Sequence, residues 1–146
     1  MMTRFMHEAL ALAREAGAAG EIPVGCIIEK DGVIVGRGRN RREADRTALG
    51  HAEIEAIAEA CRTLGEWRLS GCRLFVTLEP CPMCAGAIIN ARISTVVFGA
   101  WDPRAGACGS VEDLMRGQFT HRPEVISGIL ERECEDILKD FFKKLR

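Results

Sequence analysis

The 146-residue sequence predicts an α/β fold, a three-layer α/β/α sandwich, on three observations. Apolar strand-like runs alternate with helix-like segments along the chain. Two β-rich runs flank an Asp-Gly pair, the signal of a tight hairpin. The strands are apolar and alternate with helices, so both faces of their sheet need helical cover.

Each element has a local reason. Thr3 can cap a first helix running to about Ala18, with Phe5, Met6, Leu10 and Ala13 along its apolar side. Pro23-Val24-Gly25-Cys26-Ile27-Ile28, then Glu29-Lys30-Asp31-Gly32, then Val33-Ile34-Val35 read as strand, turn and strand. The polar residues 37–46 read as a loop. A helix is expected to begin near His51 and to continue through Ile54, Ile57 and Ala58 to Cys61. Leu74-Phe75-Val76-Thr77-Leu78 is a compact buried strand, stopped by Pro80. Pro82 suits the first turn of the next helix, where a missing amide donor costs nothing. That helix carries Met83, Ala87, Ile88 and Ile89, and residues 94–98 form another strand. After a Gly-rich stretch, a long C-terminal helix places Ile129, Leu130, Ile137, Leu138, Phe141 and Leu145 near one face.

No low-complexity segment, repeat or Ser/Pro-rich linker interrupts the chain, so residues 1–146 read as a single domain. Its 47% hydrophobic and 28% charged residues are those of a globular protein. No uncharged apolar run approaches the roughly 18 residues of a membrane span. Arg4, Glu8, Arg14 and Glu15 interrupt the first apolar residues too often for a signal peptide. A cytoplasmic location, away from membranes, is the expectation. The net charge of −1 argues against a general grip on phosphates. Yet Arg37, Arg39, Arg41, Arg42 and Arg46 crowd one segment, and Lys143, Lys144 and Arg146 close the chain. Such patches can bind a short RNA loop, or can simply be a solvated loop and a helix end.

The seven cysteines, an odd number in a chain without an export signal, argue against a disulfide framework. Cys81 and Cys84 stand apart by their spacing, which lets two thiolates reach one metal ion from a single turn, at about 2.3 Å each. Both fall at the start of an expected helix, where unpaired amides and the positive dipole end favour a thiolate. His51 also sits at a helix start and can add a nitrogen ligand at about 2.0 Å. Closed structural zinc sites have four protein ligands, whereas catalytic ones keep a position for water. No second C-x-x-C or H-x₃-H completes a closed site, and Cys108, Cys134, His7 or His121 would join only by a coincidence of folding. Two thiolates and an imidazole favour zinc.

Glu53 gives that site a reaction. Zinc lowers the pKa of its water toward about 7. A carboxylate two residues from a ligand can take that proton, hand it to a substrate ring nitrogen and later protonate a leaving amine. These are the parts needed to deaminate a heteroaromatic amine by hydrolysis. Taken singly, a C-x-x-C can be a redox pair and a histidine at a helix start can be structural. The combination, in this order and at helix N-termini, carries the chemistry.

On these motifs the chain resembles the cytidine-deaminase superfamily, in which a Glu that is not a ligand serves as acid and base. The match is closest to the bacterial tRNA-specific adenosine deaminases. It runs from Ile22-Pro23-Val24-Gly25 through Asn40, His51-Ala52-Glu53-Ile54, Thr77-Leu78-Glu79-Pro80-Cys81 and Met83-Cys84-Ala85-Gly86-Ala87. It continues through Val97-Phe98-Gly99-Ala100, Asp102 and Gly109-Ser110 to Phe141-Phe142, essentially the whole chain. The resemblance implies a cytidine-deaminase-like sandwich around a mixed sheet of about five strands. It implies His51, Cys81 and Cys84 as ligands of one Zn²⁺ and Glu53 as the proton shuttle beside a zinc-bound hydroxide. Asn40, eleven positions before the histidine, matches a base-contacting asparagine whose amide both donates and accepts. Val24 and Asp102 match positions near the bound nucleotide.

The family is a homodimer that clasps a splayed-out tRNA anticodon stem-loop, and no organic cofactor is implied. The implied reaction converts the wobble adenosine to inosine in an arginine tRNA with an ACG anticodon. Where many members have Asp-Pro-Thr-Ala, this chain has Thr47-Ala48-Leu49-Gly50. Trp101, beside Asp102, can stack on a flanking base or pack against the C-terminal helix. Two other functions stay open. A small-molecule deaminase of guanine, cytosine or a nucleoside suits the near-neutral charge. A noncatalytic zinc-stabilised binding module would need no Glu53. The residues around Asn40, from Cys84 to Ala87 and in the Phe141-Phe142-Lys143-Lys144 tail suit the tRNA enzyme.

Overall fold

The computed structural model describes residues 1–145. Its elements follow as α1 (Met2–Ala18), β1 (Gly25–Lys30), β2 (Val33–Arg39), α2 (Ala52–Leu64), β3 (Cys72–Leu78), α3 (Pro82–Asn90) and β4 (Thr95–Ala100). A 3₁₀ turn at Leu114–Arg116, β5 (Glu124–Ser127) and α4 (Glu131–Lys144) complete the order. One five-stranded sheet runs β2-β1-β3-β4-β5. Strand β1 is antiparallel to β2 and β3, while β3, β4 and β5 are mutually parallel, so the sheet is mixed.

Strand alternation builds the layers. Cys26, Ile28, Leu74, Val76, Val96 and Phe98 point to one face and pack with Ala52, Ala56 and Ala60 of α2 and Ala85 and Ile88 of α3. Ile27, Phe75 and Val97 point to the other, against Phe5, Met6, Ala9 and Leu10 of α1 and Cys134 of α4. Both faces are covered, as the apolar strands require, and the expected α/β/α sandwich is the observed one. The Asp-Gly turn has both residues left-handed, Asp31 at φ 52° and Gly32 at φ 84°, which twists the chain as a two-residue hairpin needs.

Several boundaries differ from the sequence expectation. Thr3 caps nothing: α1 already starts at Met2, and no side chain caps it. Burial of the stripe from Phe5 to Ala16, rather than a cap, holds that helix. Arg37 and Arg39 belong to β2, not to a loop. The two arginines alternate with Gly36 and Gly38, whose missing Cβ lets β2 lie against the backbone of α2. Arg41 pairs with Asp45 at 3.6 Å and Glu55 at 3.5 Å. Helix α2 continues past Cys61 to Leu64, where Gly65 ends it in a left-handed conformation. Strand β3 begins at Cys72 and β4 ends at Ala100, each longer than expected. Ile129 and Leu130 precede α4, with Leu130 at φ 54°, although both still pack under α1 and the sheet. The Gly-rich stretch conceals β5, four residues paired with β4, of which Val125 and Ile126 are half-buried and Glu124 and Ser127 exposed. Arg146 lies outside the described residues. Among those described, no helix is long and apolar enough to cross a membrane.

Candidate active site

Two helix starts meet beside the carboxyl end of β3. Pro80 and Pro82 turn the chain from β3 into α3, leaving Cys81 extended at the N-cap (φ −75°, ψ 174°) and Cys84 one turn on, buried. His51 is likewise extended at the N-cap of α2 (φ −98°, ψ 148°), with Glu53 buried in the first turn. Unpaired amides of both helices therefore face one point, where negative charge is favoured.

His51 Nδ1 lies 3.6 Å from Cys81 Sγ and 3.4 Å from Cys84 Sγ. The three donor atoms lie within 4.8 Å of one another, and among the described residues no other His, Cys, Asp or Glu joins the group. Bonds of about 2.3 Å to sulfur and 2.0–2.1 Å to nitrogen at a tetrahedral angle require S···N separations of about 3.6 Å. Donor type and spacing both fit a zinc ion.

The thiols share charge unequally. A hydrogen bond from Cys84 holds the Cys81 thiol down to about 4 against its burial, with His51 and the Cys84 amide assisting. The same bond and burial push Cys84 upward. A cation replaces the shared proton naturally. The hydrogen bond with Cys81 raises the His51 pKa, burial opposing it and Glu53 assisting. Burial pushes the Glu53 carboxyl up to about 7, against its own amide and the nearby His51.

A cavity of ≈ 180 Å³ opens over this group, lined by Val24, Asn40, His51, Glu53, Glu79, Cys81 and Asp102 among others. The side chains singled out in the sequence therefore meet at one place, with Cys84 behind Cys81. Asn40 is held on both sides: its Nδ2 donates to the Ile22 carbonyl at 3.2 Å, and its Oδ1 accepts from the Arg42 amide at 3.3 Å. Each half of the amide retains one further hydrogen-bonding position. Asp102 Oδ1 accepts from the Arg104 amide at 3.0 Å and the Ala105 amide at 3.3 Å, so this side chain also shapes its own loop.

A second cavity of ≈ 1080 Å³ shares Ile22, Arg42, Leu78, Asp102 and Ala105 with the first. Trp101, Leu138, Lys139, Phe142, Lys143 and Leu145 line its far side. Trp101 does not choose between the two expectations: it packs edge-on against Phe98 at 4.9 Å, and it faces α4 across this groove with 44% of its surface exposed. Of the clustered arginines only Arg42 reaches the cavities. Sequence reasoning gave Ile22, Leu78 and Glu79 no role at the site, and Arg42 only a place in a basic patch. For Glu79 a signal existed, a carboxylate placed between a buried strand and the Pro80-Cys81 turn.

The chain belongs to the MafB19-like deaminase family, whose model matches residues 2–146. It is similar to the tRNA-specific adenosine deaminase of Bacillus subtilis (strain 168), 47% identical over 143 residues that cover 97% of this chain and 89% of that one. Among solved structures, it resembles one from work on A-to-I editing by tRNA:A34 deaminases at the wobble position of transfer RNA. The TM-score is 0.90 at 44% identity, over 93% of this chain and 99% of that one. A guanine deaminase from Nitrosomonas europaea is similar at TM-score 0.84 and 26% identity, over 95% and 83% of the two chains.

Proposed function

We propose that this chain is a zinc-dependent deaminase that converts the wobble adenosine of a tRNA anticodon loop to inosine, with the arginine tRNA bearing ACG as its substrate. The observation that carries this reading is the adjacency of the two cavities, which share five lining residues. A small pocket over His51, Glu53 and Cys81 borders a groove with aromatic Trp101 and Phe142 and cationic Arg42, Arg104, Lys139 and Lys143. A free base needs only the pocket. A nucleotide in a strand also needs a surface for neighbouring bases and phosphates, which stacking side chains and cations supply.

His51, Cys81 and Cys84 would hold the zinc, which when bound supplies Lewis-acid activation of water. Asn40 presents one donor and one acceptor to the purine edge, and Val24 packs on the base. Asp102 shapes the opposite wall. The Glu53 carboxylate takes a proton from the attacking water and gives it to N1 of adenine as the hydroxyl adds at C6. It then takes the proton of that hydroxyl and gives it to the amine, which leaves as ammonia. A cytoplasmic homodimer acting without an organic cofactor completes the reading, on the resemblance set out above.

A second reading is supported by the structural likeness to a guanine deaminase. One experiment separates them. Zinc-loaded protein is incubated with the ACG anticodon stem-loop, with the same stem-loop carrying another wobble base, and with free adenosine, cytidine and guanine. Inosine in the first RNA alone supports the tRNA reading. Ammonia released only from a free base or nucleoside overturns it.

A further inference from the structure

Glu79 has no part in the reaction just described, yet no other carboxylate among the described residues accepts so many hydrogen bonds. It is 2% exposed and stands two residues before Cys81. Its Oε1 accepts the Asp102 amide at 2.9 Å and the Ser110 hydroxyl. Its Oε2 accepts the amides of Cys108 and Ser110, each at 3.0 Å. Gly106 passes so close that a Cβ there would overlap the carboxyl group. Main-chain bonds bracket the contact, from the Glu79 amide to Ala100 O at 2.9 Å and from the Ala107 amide to Pro80 O at 2.8 Å.

All four donors come from the 102–110 loop. That loop supplies Asp102 and Ala105 to the wall of the cavity that also holds His51 and Glu53. No ion pair with Lys or Arg is formed by Glu79 among the described residues. A buried carboxylate without such a partner is costly unless its lone pairs are filled, and here one loop fills them. The loop in turn has three inward-pointing amides that nothing apolar could satisfy. Each side thus requires the other, and these bonds tie the loop to the turn that carries Cys81.

We propose that Glu79 is a positioning residue, whose carboxylate fixes the substrate wall at 102–110 relative to the His51, Cys81 and Cys84 cluster. The proposal rests on the deaminase reading above. A substrate displaced by about 1 Å from its reactive pose loses up to about a hundredfold in rate.

The test compares the wild type with Glu79→Gln, Gly106→Ala and Ser110→Ala. Glu79→Gln sets an amide NH₂ against backbone donors. Gly106→Ala pushes on the same carboxyl group from the loop side, and Ser110→Ala removes one donor of the four. For each, kcat and KM are measured with the ACG stem-loop and with free guanine, alongside zinc per chain and hydrogen exchange of the 102–110 amides.

Glu79→Gln is expected to lower kcat about tenfold or more with zinc content unchanged, and to speed exchange at Asp102, Cys108 and Ser110 about tenfold. Gly106→Ala follows it, and Ser110→Ala shows a smaller loss of the same kind. Wild-type kcat and KM in Glu79→Gln overturn the proposal, as does a loss that merely tracks lost zinc. If Glu79→Gln fails to fold, unchanged kinetics and exchange in Ser110→Ala overturn it instead. If the wild type turns over guanine and not the RNA, the tRNA reading falls while Glu79 is judged on the guanine kinetics.

Discussion

Cys84 Sγ lies 3.4 Å from His51 Nδ1, although 33 residues separate them in the chain. The contact exists only when α2 and α3 are both docked on the sheet, because each residue sits in the first turn of its helix or just before it. A metal that needs both therefore binds the folded chain and not the unfolded one, and its binding energy becomes folding energy. One zinc per chain is expected. Zinc held at about 100 times its Kd adds about 2.7 kcal/mol, which in a domain of this size raises Tm by roughly 5–10 °C. Elemental analysis and thermal melts with and without chelator check this. Zinc at full stoichiometry in a His51→Ala, Cys81→Ser double variant would exclude the cluster as the metal site.

Glu53→Gln separates catalysis from metal binding. Glu53 is buried beside the cluster but is not among its grouped donors. The amide keeps the shape and loses the proton. Turnover is expected to fall by about 10²–10⁴-fold, the usual contribution of a general acid or base, with zinc retained. Inosine formation by this variant at the wild-type rate would remove Glu53 from the proton transfer. Zinc binding with no turnover by the wild type would favour a noncatalytic, zinc-stabilised module.

The His51, Cys81 and Cys84 cluster was legible because its chemistry is local. A C-x-x-C after a proline and a histidine at a helix start are each visible within a few residues, and their combination points to one site. The layers were legible for a similar reason, since Leu74 to Val76 and Val96 to Phe98 are apolar on both faces. What escaped depends on distant partners. Gly36-Arg37-Gly38-Arg39 looks like a loop until α2 is placed against it. Strand β5 has little to identify it except β4 beside it. Glu79 has no visible partner in the sequence, because the loop whose amides it accepts begins more than twenty residues later.

The Glu29–Arg73 pair makes stability depend on pH. Arg73 Nε donates to Glu29 Oε2 at 2.8 Å across β1 and β3, and the Gly32 amide donates to Oε1 at 2.8 Å. Burial alone would raise the Glu29 pKa, but these bonds and the arginine charge bring it below its ordinary value. A carboxyl whose folded pKa is depressed stabilises the fold above its unfolded pKa, about 4.3, and loses that contribution as pH falls through the folded value. Arg73→Met is expected to cost about 1 kcal/mol near neutrality, since the arginine is partly exposed. The deficit should shrink in acid, where the wild type protonates Glu29 as well. Urea titrations between about pH 3 and pH 7 measure it. A deficit that stays constant across that range contradicts the assignment.

Gly38 and Gly36 offer a matched pair for asking how strictly the sheet places the candidate active site. Both face α2 from β2. A Cβ on Gly38 would collide with the carbonyl of Ala52, and one on Gly36 with the carbonyl of Ala56, one helical turn further on. In neither case can a flexible side chain give way, so alanine at each is expected to destabilise by about 1–3 kcal/mol through overpacking. Their effects on the site should differ. Ala52 lies between His51 and Glu53, so relief of the Gly38→Ala clash must move the turn that carries both. Relief of the Gly36→Ala clash moves backbone that carries neither. Gly38→Ala should therefore weaken zinc affinity and kcat/KM more than Gly36→Ala for a similar loss in urea midpoint. Equal effects at equal stability would mean that the start of α2 is held by its contacts with Cys81 and Cys84, not by the close approach of β2.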